Sequence, residues 1–191
     1  AGLLQRRRLR PVLRIGHNPH LIPERGFKVG VKRRDRGVAD RQRAVSLDLK
    51  APEAAPVLER LFRWSDVVHH NSRVGLAERL GYDEQTVRAV NRDVVYSHAS
   101  GFGPTGPRAL LAANDHLMQA LSCVEAAQGG YGQPPTFLVW GAIDVTSGWL
   151  TASAVLAALY ARRREGNGQS VTTSLLGAAL TLKSGAFLAG D

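Results

Sequence analysis

The sequence predicts an α/β fold, a parallel sheet with flanking helices, and three observations carry that expectation. Short apolar or alternating runs recur at residues 44–49, 66–70, 93–98 and 169–174. The stretches between them repeat their apolar residues at helical rather than strand spacing, which is how strands joined by crossover helices read. With 44% apolar and 21% charged residues over 191 positions, the chain has the composition and length for one globular domain with its own core.

Each element has its own signal. Ala44-Val45-Ser46-Leu47-Asp48-Leu49 alternates and reads as a strand. Pro52 suits a first helical turn, and Val57, Leu58, Leu61 and Phe62 form the apolar face of a helix ending near Trp64. Asp66 to His70 is a second strand, followed by a helix through Leu76 and Leu80 that Gly81 stops, and by a brief helix around Val87 and Val90. Asp93 to His98 is a third strand. One helix is expected from Asp115 to Ala127, then a Gly/Pro loop at 129–135. A long helix from Trp149 to Arg164, introduced by Thr146, Ser147 and Gly148, is apolar enough to be buried on most sides. Arg162, Arg163 and Arg164 favour its C-terminal dipole, and Gly166-Asn167-Gly168 ends it. Gln169 to Ser174 reads as a strand and Leu175 to Phe187 as a helix.

Residues 1–43 are different. They carry 13 of the 25 Lys and Arg residues but only three of the 16 acids, so the formal charge of +9 divides into +10 here and −1 in the remainder. Arg6-Arg7-Arg8, Pro11, Pro19, Pro23 and Lys32-Arg33-Arg34 break both the helical and the strand period, and the segment reads as a basic arm. Contact with nucleic acid through this arm is the reading its charge invites, but Phe27 is its one aromatic for base stacking. The single cysteine, Cys123, excludes an internal disulfide and reads as a small core residue in a reducing compartment. Its strongest apolar run, from Trp149 to Ala161, falls short of a membrane span, so no membrane and a cytoplasmic location are expected.

The chemistry-bearing residues are few. His69 and His70 are adjacent on a strand and point to opposite faces, so they cannot share a metal; His17 and His20 have ligand spacing without further donors, and no metal is expected. Gly101-Phe102-Gly103-Pro104-Thr105-Gly106 matches a dinucleotide loop, but Pro104 and Pro107 and the want of a helix inside the motif make it a Gly/Pro loop at a strand end. Asp144, after an apolar stretch and just before the long helix, is either a first-turn acid or a carboxylate nucleophile. Arg73 and Arg79 stand after the second strand, on a solvated helix face or as a fork for phosphate.

Taken together, five segments in order resemble family III CoA-transferases of the CaiB/BaiF type, the group of formyl-CoA and carnitine CoA-transferases and α-methylacyl-CoA racemases. They are Arg43 to Lys50, Asp66 to Gly75, Ser100 to Pro107, Ala142 to Gly148 and Arg163 to Val171. The resemblance implies a Rossmann-like sheet and an acyl-CoA:carboxylate CoA-transferase. Asp144 would form an acyl anhydride and then an aspartyl-CoA thioester, with acyl-CoA and a carboxylic acid as substrates and no permanently bound cofactor. It further implies CoA contacts from Leu47, Asp48, Leu49, Lys50, Asn71, Ser72, Arg73, Arg79 and Asn114, and an interlocked homodimer. Departures are His70 where the family has Glu, Ser72 for Phe and Val74 for Pro. Asn114 stands where racemases carry a catalytic His, which disfavours racemisation.

Residues 1–43 have no counterpart in that pattern, leaving 44–191 as part of the family's large domain, the middle of a longer enzyme. The rival reading is a catalytically silent remnant, or a module that binds nucleic acid through its arm.

Overall fold

The computed structural model describes residues 12–15, 30–32 and 44–184. Its centre is a four-stranded, wholly parallel sheet. The strands are β1 (Val12–Ile15), β4 (Val67–His70), β5 (Val95–Ser100) and β6 (Ser170–Ser174), adjacent in that order. Two further strands, β2 (Gly30–Lys32) and β3 (Ala44–Ser46), form a separate antiparallel pair. The helices are α1 (Ala54–Trp64), α2 (Leu76–Leu80), α3 (Glu84–Val90), α4 (Asp115–Leu121), α5 (Val124–Gly129), α6 (Ala142–Glu165) and α7 (Leu175–Leu182).

Helices cover the sheet on both faces, and its strands also carry polar side chains, such as His69, His70 and Ser97, that find partners within the fold. Successive side chains alternate: Val68 and Tyr96 join Ile15, Leu58, Phe62, Tyr82 and Val87 beneath α1 and α3, whereas Val67, Val95 and Val171 meet Ala158 of α6 on the opposite face. A third cluster, Met118, Val124, Ile143, Ala178 and Ala179, packs α4, α5, α6 and α7 together. Arg162 joins α6 to the sheet, donating to the carbonyl oxygens of Asp66 and Asp93 and pairing with the Asp66 carboxylate at 3.1 Å. Its role is thus more specific than a charge near a helix end.

Several expectations are corrected. Val12–Ile15, within the basic arm, is a strand at one edge of the main sheet and puts Ile15 in the core; four residues between Pro11 and Gly16 are too few to show a period. The strand at 44–46 pairs with β2 instead of entering the parallel sheet. One helix over 115–127 is two, because Cys123 adopts a left-handed conformation (φ 57°) at the N-cap of α5; that break leaves Cys123 exposed rather than in the core. The long helix begins at Ala142, not near Trp149, and its 24 residues include an 18-residue stretch of mean hydropathy 1.4, which makes it long and apolar enough to cross a membrane by length and composition. Finally, α6 is covered on one side only. Ser147, Thr151 and Ala158 are buried, while Trp149, Leu156 and Tyr160 are more than 60% exposed. His17, His20, Phe27 and Phe187 lie outside the described residues.

Candidate active site around Asp144

Asp144 is the third residue of α6, and its placement begins with Gly141. Gly141 is the helix N-cap with φ 66°, a left-handed conformation that glycine adopts without penalty. The turn brings the Asp144 N–H to the Asp115 carboxylate at 2.8 Å. Asp115, 5% exposed, is the first residue of α4, and its other oxygen accepts from the Gln119 amide. Gln119 is fully buried and binds both sides of the Leu138 peptide, donating to its carbonyl at 3.0 Å and accepting its N–H at 2.9 Å. A chain of hydrogen bonds therefore runs from the loop before α6, through α4, to the backbone of Asp144.

The Asp144 side chain itself is exposed on one side, and among the described residues no donor meets its carboxylate. Asp144 is thus an acid in the first turn of its helix, but its side chain makes no capping hydrogen bond. Partial burial is the main cause that raises its pKa above the ordinary carboxylate value; the neighbouring Asp115 adds to this, and His116 opposes it. His116 stacks on Phe137 with ring centroids 4.3 Å apart. Asp115 is visible in the sequence as the acid of the motif Ala113-Asn114-Asp115, but its partnership with Asp144 is not. His116 and Gln119 carry no sequence signal.

The other expected site residues fall into distinct places. Asn114 is exposed and caps α4, its Oδ1 accepting the Leu117 N–H at 2.9 Å, so it sits one residue from the Asp115 bridge. Asp48 and Lys50 are exposed in a turn closed by Lys50 N–H donating to Asp48 at 3.0 Å, and Leu47 and Leu49 pack against the core beside it. Leu49 and Lys50 share a cleft of about 580 Å³ with Leu80 and Gly81 at the end of α2. Arg79, exposed on α2, donates to the Gly75 carbonyl at 3.3 Å. Asn71 and Arg73 are exposed just past β4, whereas Ser72 between them is 7% exposed with its hydroxyl engaged by Tyr82 at 2.8 Å. The Ser72 hydroxyl is thus turned into the fold, unlike the side chains on either side of it.

The loop 101–106 departs from a dinucleotide cradle. A Cβ on Gly101 would overlap that of Ala113, so glycine there permits close packing just ahead of Asn114, and the next helix begins only at Asp115. His69 bonds Ser97 and His70 bonds Tyr96, which places the two imidazoles on opposite faces. Among the described residues no group of three metal-ligating side chains converges.

The fold and site thus define an α/β chain with a braced, outward-facing carboxylate at the start of its longest helix. This chain belongs to the CoA-transferase family III, whose model matches residues 36–190. It is 35% identical over 136 residues to the succinate–glutarate CoA-transferase of Agrobacterium fabrum, covering 71% of this chain and 34% of that one. To the human alpha-methylacyl-CoA racemase it is 33% identical over 160 residues, covering 83% and 41%. A solved CaiB/BaiF family protein from Brucella suis superposes with a TM-score of 0.70 at 27% identity, covering 75% of this chain and 39% of that one. The chain spans little more than a third of these relatives' lengths.

Proposed function

We propose that the protein is an acyl-CoA:carboxylate CoA-transferase with Asp144 as its nucleophile. The observation that carries this reading is the Asp115 bridge to the Asp144 backbone, which fixes the residue while leaving its carboxylate uncommitted. Asp144 attacks the thioester carbonyl of the donor, the C–S bond breaks, and a mixed anhydride and CoA thiolate result. The thiolate then attacks the Asp144 carbonyl and releases the donor acid, leaving an aspartyl-CoA thioester. The acceptor carboxylate attacks that thioester and re-forms an anhydride, and CoA takes the new acyl group as Asp144 is freed.

Two features suit these steps. A carboxylate made more basic than one in water is a better nucleophile, and the direction of the Asp144 shift agrees. The first-turn N–H groups of α6 other than that of Asp144, which Asp115 already holds, lack intrahelical acceptors and can meet developing oxyanions. CoA itself would be held by the Leu47–Lys50 turn, Asn71, Arg73 and Arg79, with Asn114 beside the reacting centre. Neither step calls for a resident cofactor, since the thiol that moves is the substrate's.

The homodimer belongs to the same proposal. Val145, Trp149, Leu156 and Tyr160 follow one another at spacings of four, seven and four residues, which makes an exposed apolar stripe on α6 opposite its buried face. A second copy of the whole protein is the proposed cover.

The test is transfer between an acyl-CoA and a free carboxylic acid by protein made from the whole coding sequence. Asp144→Asn should fold and lose about six orders of magnitude in kcat, the scale seen when a covalent nucleophile is removed. Turnover within a few-fold of wild type would overturn the assignment.

A further inference from the structure

Beneath the exposed pair Asn71 and Arg73 lies a buried polar cluster that the reaction above does not use. His70, at the C-terminal end of β4, is 1% exposed. Its Nδ1 accepts the Ser72 N–H at 3.3 Å, which places the proton of the neutral ring on Nε2, and Nε2–H then donates to the Tyr96 hydroxyl at 2.7 Å. The Tyr96 O–H donates onward to the Tyr82 carbonyl at 3.1 Å. His98, stacked on His70 with centroids 4.3 Å apart, donates from Nε2 to the Ser72 carbonyl at 2.8 Å. The Ser72 hydroxyl pairs with that of Tyr82.

Ser72 is therefore gripped at its N–H, its carbonyl and its hydroxyl by groups from β4, β5 and the segment after α2. A residue fixed at three points fixes the backbone on both sides, and the neighbours on those sides are Asn71 and Arg73. They emerge at the carboxyl end of a parallel strand, where open α/β sheets bind ligands, and Arg offers a rigid fork to phosphate. The two departures noted in the sequence, His at 70 and Ser at 72, are bonded to one another.

We propose that His70 is a positioning residue, which acts through Ser72 to hold Asn71 and Arg73 in the arrangement that binds the phosphate-bearing end of CoA; this rests on the CoA-transferase reading above. His70 touches no substrate, so its effect falls on CoA affinity rather than on the chemical step. Burial, with the nearby His98 and His69, keeps the ring neutral, which the chain of donors requires.

The experiment measures CoA binding by calorimetry and steady-state turnover on protein from the whole coding sequence. His70→Asn should weaken CoA and raise the KM for acyl-CoA by about tenfold while leaving kcat within about twofold, as expected for a binding group displaced by a fraction of an ångström. In an Arg73→Ala background the same change should weaken CoA by less than it does alone, since only Asn71 is left to misplace and coupled residues are not additive. Should His70→Asn not fold, Tyr82→Phe, which releases only the Ser72 hydroxyl, should still weaken CoA several-fold. A lowered Tm with unchanged CoA affinity in the folded variant, or full additivity with Arg73→Ala, overturns the proposal. Wild-type protein that does not bind CoA overturns the transferase reading and this inference together, whereas tight wild-type binding untouched by the variants overturns this inference alone.

Discussion

At the scale of single residues, Asp115 has the most to lose. It accepts the Asp144 N–H and the Gln119 amide from a nearly buried position, so Asp115→Ala strands two donors. The expected cost is about 1–3 kcal/mol of stability, together with a fall in kcat that exceeds any rise in KM. Chemical denaturation and steady-state kinetics would check both parts, and unchanged kcat would mean that the bridge does not serve Asp144. His70 gives a pH-dependence with a definite sign. The fold holds its pKa down to about 3, from 6.5, chiefly through burial and then through His98 and His69. Between those values the unfolded chain takes up a proton that the folded chain refuses, so stability is full above about pH 6.5 and declines as the pH falls toward 3. His70→Gln should flatten denaturation midpoints across that window; parallel curves would contradict the assignment. Asp144 was readable because a motif names it. Its brace was not, because Asp115 and Gln119 meet it only through the fold.

At the scale of elements, the strands with the most regular burial were the easiest to read. Val67–His70 and Val95–Ser100 sit between helices on both faces, and each opens on two adjacent buried apolar residues, Val67-Val68 and Val95-Tyr96. Helix α1 was equally plain, since Leu58 and Phe62 repeat at helical spacing and are buried. The misplaced helix bounds share a cause, which is backbone conformation that composition does not announce. A left-handed Cys123 divides α4 from α5, and a left-handed Gly141 starts α6 early, whereas Gly148, which reads as a breaker, lies inside the helix with open space around it. Capping was also overlooked at Asp83, whose carboxylate accepts the Thr86 N–H at 3.0 Å and its hydroxyl at 2.6 Å. Partial burial works to raise the Asp83 pKa, but these hydrogen bonds prevail and lower it. Asp83→Ala should cost about 1 kcal/mol, measured as a shift in the denaturation midpoint at neutral pH, and the loss should vanish in acid as the wild-type carboxylate protonates.

At the scale of the whole molecule, charge and surface point in different directions. The +9 of the chain belongs to residues 1–43 and the remainder carries −1, so the charge says little about what the globular part binds. The apolar stripe of α6 says more, because Trp149 alone is 72% exposed beside Tyr160 at 64%. Trp149→Glu in protein from the whole coding sequence should convert a sedimenting dimer to monomer; an unchanged dimer would show that other surfaces hold it. The low helical moment hid this stripe in the sequence, since a helix apolar on every side reads as buried whether or not its own chain covers it.

The covalent role of Asp144 can be read from the mass of its peptide. Protein from the whole coding sequence is incubated with an acyl-CoA, quenched with hydroxylamine, digested, and weighed peptide by peptide. A hydroxamate is expected on Asp144, absent without acyl-CoA and absent from Asp144→Asn. Full transfer activity with no adduct at Asp144, or an adduct that persists in Asp144→Asn, would contradict it.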